Sequence, residues 1–301
     1  MAVTDSATLA PTSDAPAMAR RPRRRGRTPR WLLSLAGFVV AFVFLLPYLV
    51  MLIGAFKSRS EILGIPATYL PKEWHPENFV NMWDTPETPL PYNLVSTIVI
   101  AVSATLLVLV VALPAAYYTA RQSFPGKTIF LLLVLVTQML QPTVLTAGLF
   151  REFLAWGIND TWLAMILVNA AFNLSFAVWM MHSFFASVPK EIEEAAALDG
   201  AGRLKTLRTV TLPLVWPGIV TIALFAFLGA WNEFLAALVL MTDQSKFTLP
   251  IMMTALQSGR FGAIDWGAVQ AGVTVMMVPC LILFLLLQRF YIRGLMAGAV
   301  K

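Results

Sequence analysis

Charge is scarce in this chain: 13% of its 301 residues are charged, while 58% are hydrophobic. Soluble domains carry about 25% charged and about 45–50% apolar residues. So little polar surface cannot coat a globule in water, which excludes an ordinary soluble domain and leaves a multi-span membrane protein. Cysteine is nearly absent as well. Cys280 stands alone in an apolar run, which excludes an intrachain disulfide and a cysteine metal cluster. With only His75 and His182 beside it, no Cys/His metal site can be assembled. A Gly-x-Ser-x-Gly elbow is missing, and no other nucleophile set presents itself. Gly126-Lys127-Thr128 imitates the end of a P-loop, but the first glycine of that motif would fall on Arg121, and an apolar run precedes it where a strand is required. The chain is therefore expected to be no enzyme, to bind no cofactor and to hold no ATP site of its own.

What the chain does have is length in its apolar runs. About 20 apolar residues cross the hydrocarbon core as a helix, and six stretches qualify, at about 31–56, 93–120, 128–150, 161–188, 214–241 and 266–287. The first is too long for a secretory h-region and lacks a small-residue cleavage site, which predicts a retained helix. Only Asn232 and Glu233 interrupt the fifth.

The net charge of +6 raises the question of nucleic acid, but seven arginines fall between Arg20 and Arg30, directly before the first run. A basic run in that position is a topology signal lying against anionic lipid, and no nucleic-acid partner is expected. Residues 1–19, rich in Ala, Thr, Ser and Pro, show no apolar period, so 1–30 is expected to be a disordered basic tail. With the N-terminus inside, 16 basic residues fall on the cytoplasmic side and 6 outside. The positive-inside rule then predicts both termini cytoplasmic, with Lys57 and Arg59 a small dissent. The outer connection 57–92 carries six prolines together with Tyr69, Trp74 and Trp83. It reads equally as a partly ordered cap or as a simple linker.

Between the fourth and fifth runs, residues 189–213 change character. Ser187 is positioned as an N-cap, Pro189 in the first turn, and Glu191, Glu193 and Glu194 complement the positive helix end. Ile192, Ala195, Ala196 and Asp199 share one face, and Gly200 permits the left-handed stop. A second short helix carries Arg203, Lys205 and Arg208. Composition alone fits a helix offered to a partner's groove and an amphipathic connector on lipid equally well.

The spacing in this segment resembles the integral membrane permease family of binding-protein-dependent ABC importers. That family carries Glu-Ala-Ala, three residues, Gly, nine residues, an aliphatic, one residue and Leu-Pro; here the pattern reads Glu194-Ala195-Ala196, Gly200, Val210 and Leu212-Pro213. Asp199 and Ala201 fit its fuller form, whereas Leu207 stands where Phe is frequent. Gln138-Met139, Trp231-Asn232-Glu233-Phe234 and the end of the chain from Gln288 to Lys301 resemble the maltose-type carbohydrate subgroup. The resemblance implies an all-α, six-span permease domain (31–301) of the MetI-like fold in a bacterial plasma membrane. It further implies a second permease subunit, two ATPase subunits that hold ATP and Mg, and an extracytoplasmic binding protein that delivers a di- or oligosaccharide. Other solutes, such as a polyol phosphate, stay open at this point.

The family role places ATPase coupling on Glu194, Ala195, Ala196, Asp199, Gly200 and Arg203. Candidate pathway residues are Gln138, Gln141, Asn169, Asn173, Trp231, Asn232 and Glu233. Amides inside a span either touch sugar hydroxyls or join helices at about 0.6 kcal/mol each, and Glu233 needs a protein interior or a water-filled cavity. In the subgroup the tail reaches the ATPase, and Gly294, Leu295, Gly298 and Lys301 suit an extended segment there, with a frayed end as the alternative. An ion-coupled secondary transporter is the competing class; it would be marked by paired intramembrane carboxylates or inverted repeats, and neither is evident in the sequence.

Overall fold

The structure, a computed structural model, describes residues 30–83, 90–140, 142–259 and 264–299, and every regular element among them is helical. The basic tail expected at 1–30 lies outside the described residues except for Arg30. The chain divides after Pro47 into two units. The described part of the first is the opening stretch of α1 (Arg30–Gly54), which carries no charge beyond Arg30.

The second unit begins with the last turns of α1 and a connecting segment that holds α2 (Arg59–Ile62) and α3 (Glu77–Asn81). Ser58 Oγ caps α2 by accepting the Glu61 N–H at 3.3 Å. Buried Asn78 donates from Nδ2 to the carbonyls of Ala55 and Lys57, both at 2.9 Å. Phe56 packs on the rings of Trp74 and Phe79. The described part of this connection, residues 57–83, thus packs as a cap rather than a plain linker. It also accounts for Lys57, whose buried ammonium is held by the carbonyl and hydroxyl of Thr68.

Next come α4 (Leu90–Arg121), α5 (Lys127–Met139), α6 (Pro142–Ala155) and α7 (Trp162–Ser187). Along α4 the residues Ala101, Ala104, Val108, Ala112 and Ala116 recur every three to four positions, and each is at most 1% exposed. Small side chains at that spacing let helix backbones approach closely; Val108, Ala112 and Ala116 share a core with α7, and Ala101 and Ala104 share one with the end of α11 at Ala230 and Trp231. The expected continuous third span is instead broken between α5 and α6. Pro142 lacks an N–H and disfavours helical backbone in the residue before it, so the ladder stops at Leu140.

Beyond α7 lie α8 (Lys190–Leu198), α9 (Arg203–Thr206), a π-helical turn Leu207–Thr211 and α10 (Leu212–Leu214). They are followed by α11 (Trp216–Trp231), α12 (Leu235–Leu240), α13 (Leu249–Gln257) and α14 (Trp266–Ala299). The expected fifth span is also corrected. The segment Arg203–Leu214 bends 77° from α11, and the helix breaks again between Trp231 and Leu235, inside the expected span. Four described helices are long and apolar enough to cross a membrane unaided, with a fifth if the bent pair counts as one span.

Candidate functional site

The segment singled out by its spacing folds as a helix on the surface of the second unit. Ser187 is not its cap: it closes α7, its hydroxyl donating to the Phe184 carbonyl at 2.8 Å, and α8 starts after the extended residues Val188 and Pro189. At the far end the Gly200 N–H donates to Ala197 and the Ala201 N–H to Ala196, both at 3.0 Å. This paired closure requires a left-handed residue, and Gly200 supplies it at φ 79° with open space around its Cα.

Glu194, Ala195, Leu198 and Asp199 are exposed on α8, Leu198 at 89%, while Ala196 turns partly inward. Glu194 and Arg203 border one depression of about 420 Å³, together with Tyr118, Lys190 and Ala197. Glu194, Ala195, Asp199, Gly200 and Arg203 are thus all exposed, and Glu194 and Arg203 border the same depression.

The side chain that fixes this helix is one the sequence reading treated only as a helix-end charge. Glu193 Oε1 accepts from Arg121 Nε and from Thr211 Oγ1, each at 2.9 Å, and Arg121 Nη2 pairs with the same oxygen at 2.9 Å as a salt bridge. Its Oε2 accepts from Tyr117 at 3.2 Å. Arg121 Nη2 also donates to the Val188 carbonyl at 3.1 Å. The arginine and glutamate side chains are 7% and 15% exposed. Burying such a pair is tolerable because both carboxylate oxygens and the Nε and Nη2 groups of the guanidinium have partners. The cue in the sequence was a lone arginine ending the second apolar run and three glutamates following the fourth, but nothing in the sequence pairs them.

The pathway candidates separate. Trp231 is fully buried, stacked on Phe227 with its indole Nε1 donating to Met276 at 3.2 Å, so its face is spent inside the fold. Asn232 is exposed and donates back to Leu228 at 2.8 Å. Glu233 sits in the break before α12 and accepts the N–H groups of Ala236 at 2.6 Å and Ala237 at 2.9 Å, which makes it a helix cap. Asn169, 1% exposed, donates to Met165 at 2.9 Å, and Asn173 donates to Asn169 at 2.8 Å. Gln138 is exposed near the end of α5, and Gln141 lies outside the described residues. In the tail the extended reading is corrected: the backbone of Gly294, Leu295 and Gly298 is helical, because α14 continues to Ala299 through mostly helix-compatible residues. Lys301 lies outside the described residues.

On the opposite side of the fold, Asp160 joins two loops. Its Oδ1 accepts the N–H groups of Thr242 and Asp243 at 2.8 and 3.1 Å, and Lys246 pairs with its Oδ2 at 3.2 Å.

Comparison with known proteins places these features in context. The family described as "Binding-protein-dependent transport system inner membrane component" matches residues 17–295. The probable ABC transporter permease protein YurM of Bacillus subtilis (strain 168) is 35% identical over 302 residues, covering 99% of this chain and 98% of that protein. The trehalose/maltose transport system permease protein MalG of Thermococcus litoralis is 34% identical over 272 residues, covering 90% and 97%. A crystal structure of a bacterial ABC transporter that imports the acidic polysaccharide alginate shares the fold, with a TM-score of 0.72 at 19% identity over 87% of this chain and 96% of that one.

Proposed function

Because the chain belongs to the family of binding-protein-dependent transport system inner membrane components, we propose that it is a permease subunit of an ATP-driven importer, working with a carbohydrate as solute. The trehalose/maltose permease among its relatives supports that solute class. Two such subunits enclose the pathway, each spanning the inner membrane six times with both termini in the cytoplasm. In this reading the broken segments α5–α6 and α11–α12 each count as one span. A binding protein delivers the sugar from outside, and ATPase subunits act from inside.

The observation that carries this reading is α8, an exposed helix of nine residues closed by Gly200 and fastened from beneath by Glu193. A surface helix with small residues on its free face fits a groove in a partner. ATP-driven closure of the ATPases then displaces α8 and switches the pair between inward- and outward-facing states, and hydrolysis resets it. Because the partners carry ATP and Mg, this chain contributes positioning and not chemistry. Glu233 and the amides of α7 supply polar groups close to the pathway, while the tail residues Gly294, Leu295, Gly298 and Lys301 are contacts for the ATPase.

Co-purification with the ATPase, followed by uptake with loaded binding protein, tests the reading. Glu194→Lys reverses a charge on the free face, and Gly200→Pro forbids the positive φ that closes the helix. Both variants are expected to insert normally and to lose coupled uptake at least tenfold. Normal coupled uptake in both would overturn the assignment.

A further inference from the structure

We infer that Arg121 and Glu193 form the clamp that makes α8 and the membrane helices α4 and α7 move as one body. This rests on the reading of α8 as the helix that the ATPase displaces.

Two joints isolate α8 along the chain. On one side Val188 and Pro189 are extended, with ψ of 124° and 137°, and on the other Gly200 and Gly202 bracket a turn. Neither joint continues a helical hydrogen-bond ladder, and short joints of this kind are where backbone rotation is absorbed. A helix held by such joints alone would swing without moving anything behind it.

Side chains remove that freedom. Among the described residues, Glu193 is the α8 side chain hydrogen-bonded to other elements, and it reaches both the end of α4 through Tyr117 and Arg121 and the π-helical turn through Thr211. Arg121 closes the first joint as well, by donating to the carbonyl of Val188. The pair is largely shielded from water, so solvent screens it little. Behind Arg121, Val108, Ala112 and Ala116 pack α4 on α7. A displacement of α8 therefore passes through Arg121 and Tyr117 into the most extensively packed helix pair among the described residues. Arg121 and Glu193 are positioning residues: neither needs to touch ATPase or solute.

The test uses the assembled importer in proteoliposomes, recording both ATP hydrolysed and solute moved. Glu193→Gln keeps shape and most hydrogen bonding, Arg121→Gln removes the guanidinium, and the double variant Arg121→Glu with Glu193→Arg restores opposite charges. Both single variants are expected to assemble and to hydrolyse ATP at half the wild-type rate or better, while solute moved per ATP falls about tenfold. The exchanged pair is expected to recover to within threefold of wild type. Single variants that assemble with an unchanged ratio, or that lose assembly while the surviving complexes keep the wild-type ratio, overturn the clamp. If the single variants do not fold, the exchanged pair decides: assembly with a collapsed ratio overturns the clamp. A wild-type chain that recruits no ATPase overturns the underlying reading instead, and is recognised before any variant is compared.

Discussion

The side-chain oxygen of Asn173 occupies the space that a methyl group on Gly229 would need: a Cβ there would stand 2.8 Å from Oδ1. The amide is held from the other side by its bond to the Asn169 carbonyl, so it cannot withdraw freely. Asn173 is thus engaged with the backbone of α11. Gly229→Ala is expected to cost about 1–3 kcal/mol, the range for overpacking. Combining it with Asn173→Ala should return part of that loss. Thermal unfolding of the four proteins in detergent measures the coupling, and additive effects would dismiss the contact.

The sequence made the helical class, four of the long spans and the short helix closed by Gly200 legible, because length, hydropathy and motif spacing are local properties. Val210 and Leu212-Pro213 kept the family spacing, and Gly200 showed the positive φ that its position demanded. The breaks at Leu140 and after Trp231 were harder to read. Pro142 and Glu233 were visible, yet an apolar run tolerates a proline or a carboxylate whenever neighbours satisfy the backbone. Whether they do is a tertiary fact. The same holds for Arg121 and Glu193, 72 residues apart, whose pairing follows from how α4 and α8 meet.

Trp231 illustrates how an attractive pathway residue becomes a core residue once packing is known. Its ring fills a cluster with Leu90, Ala104, Met252 and Ala271. Trp231→Ala is expected to destabilise by about 3–5 kcal/mol, the usual cost of truncating a buried aromatic. Trp231→Phe should lose less, chiefly the hydrogen bond to Met276 at about 1 kcal/mol. Uptake by the Phe variant, normalised to folded protein, should match wild type. A large change in solute affinity without a change in stability would restore the pathway role.

The Asp160 clasp makes a prediction about pH. Burial alone would raise this carboxyl, but the N–H groups of Thr242 and Asp243 and the Lys246 ammonium outweigh it, leaving the group below its ordinary 3.8. The hydrogen bond to Asp160 in turn lifts Lys246 above its ordinary 10.5. A lowered acid contributes stability that is full above its unfolded value and fades as pH falls through the folded one. A raised base contributes stability that is full below its unfolded value and fades as pH rises through the folded one. Wild type should therefore exceed Lys246→Met in melting temperature by a constant amount between about pH 5 and about pH 9. The gap should narrow only beyond those limits, and a gap that changes steadily near neutrality would contradict the assignment.

Glu233 separates capping from transport most directly. Its two oxygens satisfy the first free N–H groups of α12, whereas neighbouring Asn232 bonds only to its own helix. Removing a cap costs about 0.5–2 kcal/mol. Glu233→Ala should fall in that range and Glu233→Gln, with one accepting oxygen left, near its lower end. Asn232→Ala should leave stability within about 0.5 kcal/mol of wild type. If Glu233 also meets the solute, the Gln variant should raise the concentration of half-maximal uptake several-fold beyond what its folded fraction explains. Wild-type affinity and ATPase coupling in the double variant Asn232→Ala with Glu233→Ala would assign the carboxylate to the break in the helix alone.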